Sequence, residues 1–335
     1  MKLGYIYFAF LAFFISFIIQ LIIINISKRK NIFIDRVDIN KPQKFHTVPT
    51  PRAGGIGIFF ANLILLINPL GLKFFIASFF AFFSGILEDL HQNISPKIRL
   101  LLQLLAGIIA VYLIGAFVKD IGFIKFPYLI GILFTIFAIV GGINAINIID
   151  GFNGLASGVS LLILTAFGIV AYIHQDYDVV FIILINIFTI LGFLIFNFPF
   201  GKIFLGDSGA YFLGFVISEV AVLLPYRHPD ISPWFSLAVI IYPVWEALFS
   251  SYRRKIRKYS PLQPDKLHLH SLIKKRITRN NPKTSFLIWI LIIPFVFLPV
   301  FYYDSNILCF ITVILFVVMY NFLYKYITKF RLKIN

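Results

Sequence analysis

Apolar runs of membrane-crossing length, broken only by short polar stretches, leave this chain few folds to adopt. Tyr5 to Ile26 carries no charged residue, and comparable runs recur as far as residue 324. A helix crosses about 30 Å of hydrocarbon with about 20 residues, and somewhat fewer are tolerated. On that measure the runs predict eleven helices, near 5–26, 53–67, 72–87, 100–118, 128–146, 155–173, 179–197, 208–224, 234–251, 286–302 and 307–324. The second and third are short and meet at Asn68-Pro69-Leu70-Gly71, a turn signal. The first run is too long for the apolar core of a signal peptide and lacks a small-residue cleavage site, so it reads as a span. Only 13% of the 335 residues are charged and mean hydropathy is +0.92, whereas soluble domains carry about 25% charge. The expected fold is an all-α integral membrane protein, one polytopic bundle of about 10–11 transmembrane helices over residues 1–335. Its lone cysteine, Cys309, permits no internal disulfide.

The charges assign sides to these helices. Lys and Arg number 30 against 14 Asp and Glu. In a soluble chain that excess would suggest nucleic acid; here it reads as membrane topology, and no nucleic-acid partner is expected. Of the 30 basic residues, 25 fall in the loops 27–52, 88–99, 198–207 and 252–285 and in the C-terminal tail. Basic residues collect on the cytoplasmic side, so these loops, with 147–154, are expected there, with the N-terminus outside and the C-terminus cytoplasmic. Glu88, Asp89, Asp150, Asp207 and Asp265 lie on that same side, in four different loops or helix ends. Carboxylates converging among so much Lys and Arg point to a site for a charged substrate. Asp120, Asp176, Asp178, Asp230 and Asp304 read as solvated charges in short loops on the other side. Glu219 and Glu246 fall within spans, where a carboxylate is costly; each is either functional or paired with a neighbouring helix.

Four polar stretches could carry chemistry. In GILEDLHQNISPKIRLLLQ (85–103) the pair Glu88-Asp89 ends one span, and Lys97 and Arg99 open the next after Ser95-Pro96. The four charges could equally be interfacial. In NAINIIDGFNGLASG (144–158), Asn144, Asn147 and Asp150 recur every three residues, close to one helix face. Their oxygens are hard ligands suited to Mg²⁺. The alternative is packing, since Gly154 and Gly158 form a small-xxx-small pair. In FGKIFLGDSGAYFLG (200–214), Asp207 opens a span between Gly206 and Gly209. It could be a simple helix cap, but the glycines suggest close approach of a ligand to backbone. In SPLQPDKLHLHSLIKKR (260–276), His268 and His270 lie among Lys266, Lys274, Lys275 and Arg276 and suit phosphate better than zinc, which would need further ligands. A basic loop on anionic lipid is the alternative. AGGIGIF (53–59) has glycines without the preceding strand of a dinucleotide site.

Taken in order, PTPRAGG (49–55), EDLHQNISPKIRLLLQ (88–103), NAINIIDGFNGLASG, GKIFLGDSGAYFLG and HLH (268–270) resemble the polyprenyl-phosphate N-acetylhexosamine-1-phosphate transferases. Within that group the chain looks more like the undecaprenyl-phosphate N-acetylglucosaminyl type than the muramoyl-pentapeptide type, whose last block usually holds three consecutive histidines. Two positions depart from the family pattern: Glu88 stands where an aspartate is usual, and Ser271 where a further histidine is usual. The resemblance implies a Mg²⁺-dependent exchange, with Mn²⁺ as a substitute, in which undecaprenyl phosphate and a UDP-N-acetylhexosamine give the lipid-linked diphosphosugar and UMP. It places Asp207 and Asn147 as metal ligands, and Glu88, Asp89 and Asp150 as catalytic residues. Arg52, Lys97, Arg99, Asn144, Asn153, His268 and His270 are placed as substrate-binding residues. It further implies the bacterial inner membrane, a cytoplasmic active face and initiation of a cell-envelope glycan such as O-antigen; the oligomeric state, a homodimer included, is left open. The rival class is a cation-coupled transporter or lipid flippase, which would place its charges near the midplane on broken helices within repeats. Here the polar blocks gather at one face and no repeat is visible.

Overall fold

The computed structural model describes residues 3–35, 49–91, 94–256 and 267–329. Asp265, Lys266 and parts of the loops 27–52, 88–99 and 252–285 therefore lie outside the described residues. The chain is a helical bundle: α1 (Leu3–Lys30), α2 (Gly54–Ala61) continued by a 3₁₀ segment (Asn62–Ile67), α3 (Pro69–His91), α4 (Pro96–Ile114), α5 (Tyr128–Ile149), α6 (Leu155–Ile173), α7 (Tyr177–Asn197), α8 (Gly206–Arg227), α9 (Pro233–Val239), α10 (Ile241–Ile256), α11 (Leu269–Ile273), α12 (Asn281–Phe297) and α13 (Asn306–Lys329). The only strands among the described residues are β1 (Ile34–Asp35) and β2 (Thr50–Pro51), paired antiparallel.

Every apolar run in the sequence becomes helix, but not every helix is a full span. Among the described residues nine helices are long and apolar enough to cross a membrane on their own. The run expected near 234–251 is bent by 75° between α9 and α10. Pro243 sits in the first turn after the break, where it cannot donate to the carbonyl four residues earlier. The run expected at 53–67 is only a short apolar helical piece, yet it connects the two ends of the bundle. It starts beside Phe204 and Leu205, and just past its end Asn68 Nδ2 donates to Asp178 at the start of α7, 2.9 Å away. Eight α-helical and six 3₁₀ residues give about 24 Å, because a 3₁₀ residue rises about 2.0 Å against 1.5 Å in an α-helix.

Helix α8 is the axis of the bundle, buried over nearly its whole length. A stripe of small residues at four-residue spacing (Gly206, Ala210, Gly214, Ser218) lets its neighbours come close. A Cβ added at Gly214 would lie 2.6 Å from Cα of Ile143 in α5, and one at Gly209 would lie 3.0 Å from Cα of Gly55 in α2. Hence the glycines of AGGIGIF serve helix packing. Gly158 packs in the same way on Trp289 of α12.

The end of the bundle opposite Asp207 holds its own polar cluster, and there one expectation is corrected. Asp176 is not a solvated loop charge: it is buried, accepts from Arg227 Nε at 2.7 Å, and lies 2.9 Å from His228 Nε2. It also caps α7 by accepting from the Val179 amide. Asp230 in contrast is exposed and pairs with His174 at 2.8 Å.

Candidate functional site

The N-terminal mouth of α8 is built from three separate stretches of chain. Residues 51–55 run alongside 204–205: the Phe204 amide donates to Pro51 (2.7 Å), and the Gly54 and Gly55 amides donate to Phe204 and Leu205 (2.9 and 2.8 Å). From α3, the buried carboxylate of Asp89 reaches the same point. Its Oδ1 accepts from the Asp207 amide and its Oδ2 from the Ser208 amide, each at 2.9 Å. Asp89 is therefore the cap of α8 supplied from another helix. It satisfies first-turn N–H groups that have no partner inside the helix and places negative charge at the positive end of the helix dipole. Gly206 makes this possible: its φ of +77° is a left-handed conformation, and a Cβ there would lie 2.7 Å from Asp89 Oδ2. The glycines beside Asp207, expected to admit a ligand, instead admit Asp89 and helix α2.

Arg52 ties the carboxylates together. Its Nε donates to Asp89 Oδ1 at 3.1 Å, and a terminal nitrogen lies 3.3 Å from Asp207 Oδ2. Burial works against the guanidinium charge, but Asp207 and then Asp89 outweigh it and hold the pKa of Arg52 above its ordinary value. With its amide tied to Asp89 and its side chain half-buried, Asp207 presents its carboxylate to Arg52 and to the site.

Asp150 joins this group from the end of α5. Burial is the largest influence on it, followed by the negative charge of Asp207; Arg52 opposes and Asp89 reinforces, and the carboxyl is pushed up to about 8. Three carboxylates thus share one guanidinium. The neighbouring loop is fastened firmly. The Gly154 amide, at φ +75°, donates to Asn197 Oδ1 (2.6 Å), the Asn153 amide to Asn281 Oδ1 (2.8 Å), and Asn153 Nδ2 to the Pro199 carbonyl (3.2 Å).

The histidine block closes the far side of that loop. His270 packs edge-on against Phe152, with ring centroids 5.2 Å apart, and lies against Gly151. Its Nδ1 is buried without a hydrogen-bond partner among the described residues, and burial, the largest of the causes, pushes the imidazole down to about 3. His268 stacks on His270 with the rings 2° from parallel, and its Nδ1 lies 2.9 Å from Oε1 of Glu246 in α10. Oε2 of Glu246 accepts from Tyr320 of α13 at 2.7 Å.

The other residues singled out in the sequence are placed as follows. Asn144 turns sideways, its Nδ2 donating to Gln103 of α4 at 2.7 Å and to the Val140 carbonyl. Three-residue spacing lags a helical turn by roughly 60° per step, so Asn144 and Asp150 are about 120° apart around α5 rather than on one face. Asn147, between them, has no side-chain hydrogen bond among the described residues and is half-buried. Glu88 accepts the Ile94 amide at 3.0 Å, Arg99 reaches the Tyr211 hydroxyl at 3.4 Å, and Lys97 is exposed. Sequence reasoning missed Ser208, Tyr211, Gln103 and Tyr320. Only Glu246 gave a signal, as a carboxylate inside a span.

With this geometry in hand, similarity to known proteins identifies the group. Residues 72–225, from α3 through most of α8, match glycosyl transferase family 4. A Bacillus subtilis protein is 32% identical over 282 residues, covering 77% of this chain and 75% of its own. The Thermotoga maritima undecaprenyl-phosphate alpha-N-acetylglucosaminyl 1-phosphate transferase is 31% identical over 255 residues, 76% of this chain and 77% of its own. The chain belongs to glycosyl transferase family 4. A Lactococcus lactis phospho-N-acetylmuramoyl-pentapeptide-transferase is 38% identical over a shorter stretch, 147 residues and 42% of this chain.

Proposed function

We propose that this protein transfers N-acetylhexosamine 1-phosphate from a UDP-sugar to undecaprenyl phosphate, releasing UMP, at the cytoplasmic face of a bacterial inner membrane. The observation that carries the reading is the meeting of Asp89, Asp150, Asp207 and Arg52 at one end of a membrane bundle, the three aspartates lying within the stretch that matches the family. N-acetylglucosamine is the expected sugar, since the relatives that align over three quarters of the chain include one named for it. The product would begin a lipid-linked cell-envelope glycan.

In this reaction an oxygen of the lipid phosphate attacks the phosphorus attached to the sugar. The bond from that phosphorus to the bridging oxygen of the diphosphate breaks, and UMP leaves with the electron pair. Positioning and charge neutralisation are what such a transfer needs. The second pKa of a phosphate monoester is about 6, so the nucleophile is already mostly ionised at neutral pH and little base catalysis is required. The assignment follows the hydrogen bonds. Asp89 has both oxygens engaged by protein donors and acts by holding Asp207 in place. Glu88 and Asp150 remain available to face the lipid phosphate. Arg52, Lys97, Arg99 and His270 supply positive charge or N–H groups for the phosphates, and His268 is a further contact to the substrate.

The donor set fits a divalent cation. Asp207, Asn147 and Asp150 offer hard oxygen ligands, and the single guanidinium of Arg52 leaves excess negative charge among the three aspartates. No ready-made cluster of three ligating His, Cys, Asp or Glu side chains occurs among the described residues. Mg²⁺ takes one or two carboxylates and completes its shell with water and substrate phosphate. When bound, Mg²⁺ (or Mn²⁺) would supply neutralisation of the diphosphate charge.

The test is UMP release by detergent-purified protein given undecaprenyl phosphate, Mg²⁺ and a panel of UDP-N-acetylhexosamines. Release that requires all three components is the expected outcome, with UDP-N-acetylglucosamine the best donor. Folded protein that releases no UMP with any sugar would overturn the reading.

A further inference from the structure

The carboxylate of Glu246 lies outside the residues that match the family model and outside the five polar blocks, yet it sits directly behind the histidine block. It is buried in α10, five residues past the 75° bend. Both its oxygens are spoken for: Oε1 lies 2.9 Å from His268 Nδ1, while Oε2 accepts from the Tyr320 hydroxyl at 2.7 Å and from the Leu269 amide at 3.3 Å. These partners come from α13 and from α11, so the carboxylate fastens the short histidine-bearing helix to the bundle at two points. A carboxylate oxygen accepts hydrogen bonds, so the imidazole nitrogen facing it must carry the proton. The choice of nitrogen on one side of a histidine ring decides what the other can do. His268 then directs Nε2 away from Glu246. The parallel stack on His270, itself packed on Phe152 and Gly151, fixes the plane of the ring beside the loop that carries Asp150.

We infer that Glu246 is a positioning residue: with Tyr320 behind it, it fixes the tautomer and ring plane of His268, so that a bare Nε2 is offered as hydrogen-bond acceptor to an O–H group of the substrate. This rests on the transferase reading for what Nε2 meets, but not for the pairing itself. Glu246 touches no reacting atom. Its effect passes through His268, as carboxylates behind a working imidazole generally act, and loss of such a partner costs about 10–100-fold in activity.

The experiment combines nitrogen-15 NMR of histidine-labelled protein with kinetics of Glu246→Gln. The His268 signal is assigned by its disappearance in His268→Gln. The expected wild-type spectrum shows His268 with a protonated Nδ1. In Glu246→Gln the amide can donate to Nδ1, so the ring shifts toward the Nε2–H tautomer. Its kcat should fall about 10–100-fold while KM for the UDP-sugar stays within a few-fold. Tyr320→Phe, which keeps the carboxylate, should retain the Nδ1–H tautomer. A wild-type His268 with bare Nδ1, or a folded Glu246→Gln enzyme of wild-type kcat, would overturn the inference. If Glu246→Gln does not fold, the wild-type tautomer decides alone. Absence of UMP release from the wild type would sink the transferase reading and leave the spectrum still to judge the pairing.

Discussion

Asp89 and Asp207 lie at opposite ends of one set of hydrogen bonds, and their removal should have different effects. Asp89→Ala deletes the cap of α8 and leaves Arg52 with one partner fewer in a largely enclosed site. Breaking a buried charge pair costs about 3–5 kcal/mol, so thermal unfolding in detergent should move to clearly lower temperature, with activity lost alongside. Asp207→Ala keeps the backbone amides that Asp89 caps, and the contact it takes from Arg52 is the longer and more exposed of the two, at 3.3 Å. It should melt close to wild type while UMP release falls by about 100-fold or more. Equal losses of stability in the two variants would contradict this division. A second prediction concerns Asp150, whose carboxyl is raised from 3.8 to about 8. A raised carboxyl binds its proton more tightly in the folded protein, so its contribution to stability is complete below about pH 4 and is lost as pH rises through about 8. Asp150→Asn should therefore flatten the fall in melting temperature between those values. Mg²⁺ should raise the wild-type melting temperature more at pH 8 than at pH 5, because a cation favours the ionised carboxyl. Sequence spacing brought Asp150 and Asp207 to notice, since carboxylates are rare in such a chain. It could not show that Asn144 faces Gln103, because that follows from the angular drift of α5 and the position of a second helix. Nor could it show Asp89 as a cap, which depends on an approach across 118 residues.

At the level of elements, the mouth of α8 depends on a residue with no side chain. Gly206→Ala puts a Cβ into a left-handed conformation, which costs about 1–2 kcal/mol, and into contact with Asp89 Oδ2. The expected result is a loss of at least about 2 kcal/mol in unfolding experiments, with activity falling because Asp89 is displaced from the amides it caps. A variant as stable and as active as wild type would show that the close approach is not needed. The helices themselves were legible in the chain, since length and apolarity suffice to mark them. Their departures from straight spans were not. Pro243 is visible in the sequence, but a proline near the start of an apolar run does not give an angle of 75°. The pairing of Glu246 with His268 likewise joins α10 to α11 across 22 residues, and neither local spacing nor periodicity carries that information.

For the whole molecule, the arrangement of ends can be tested by chemistry. Cys309 is buried, so new cysteines can be read against a silent background. Ser95 and Asp304 are both exposed, the first beside the site and the second at the opposite end of the bundle. A membrane-impermeant thiol reagent should label Asp304→Cys in intact cells and Ser95→Cys only after the membrane is opened; the reverse pattern would place the site outside. The bundle is also uneven in height. The wall formed by Gly54–Ile67 is about 24 Å long, and its Phe60, Leu63, Leu66 and Ile67 side chains are exposed on the outer surface. Hydrocarbon about 30 Å thick cannot meet a shorter apolar wall without yielding, and it is the lipid that thins more cheaply than the protein stretches. The bilayer should therefore dip along this flank. That dimple would bring headgroups closer to the midplane beside the helix whose first residues bind the segment leading into Asp207, and would shorten the descent of a lipid phosphate into the site on that flank.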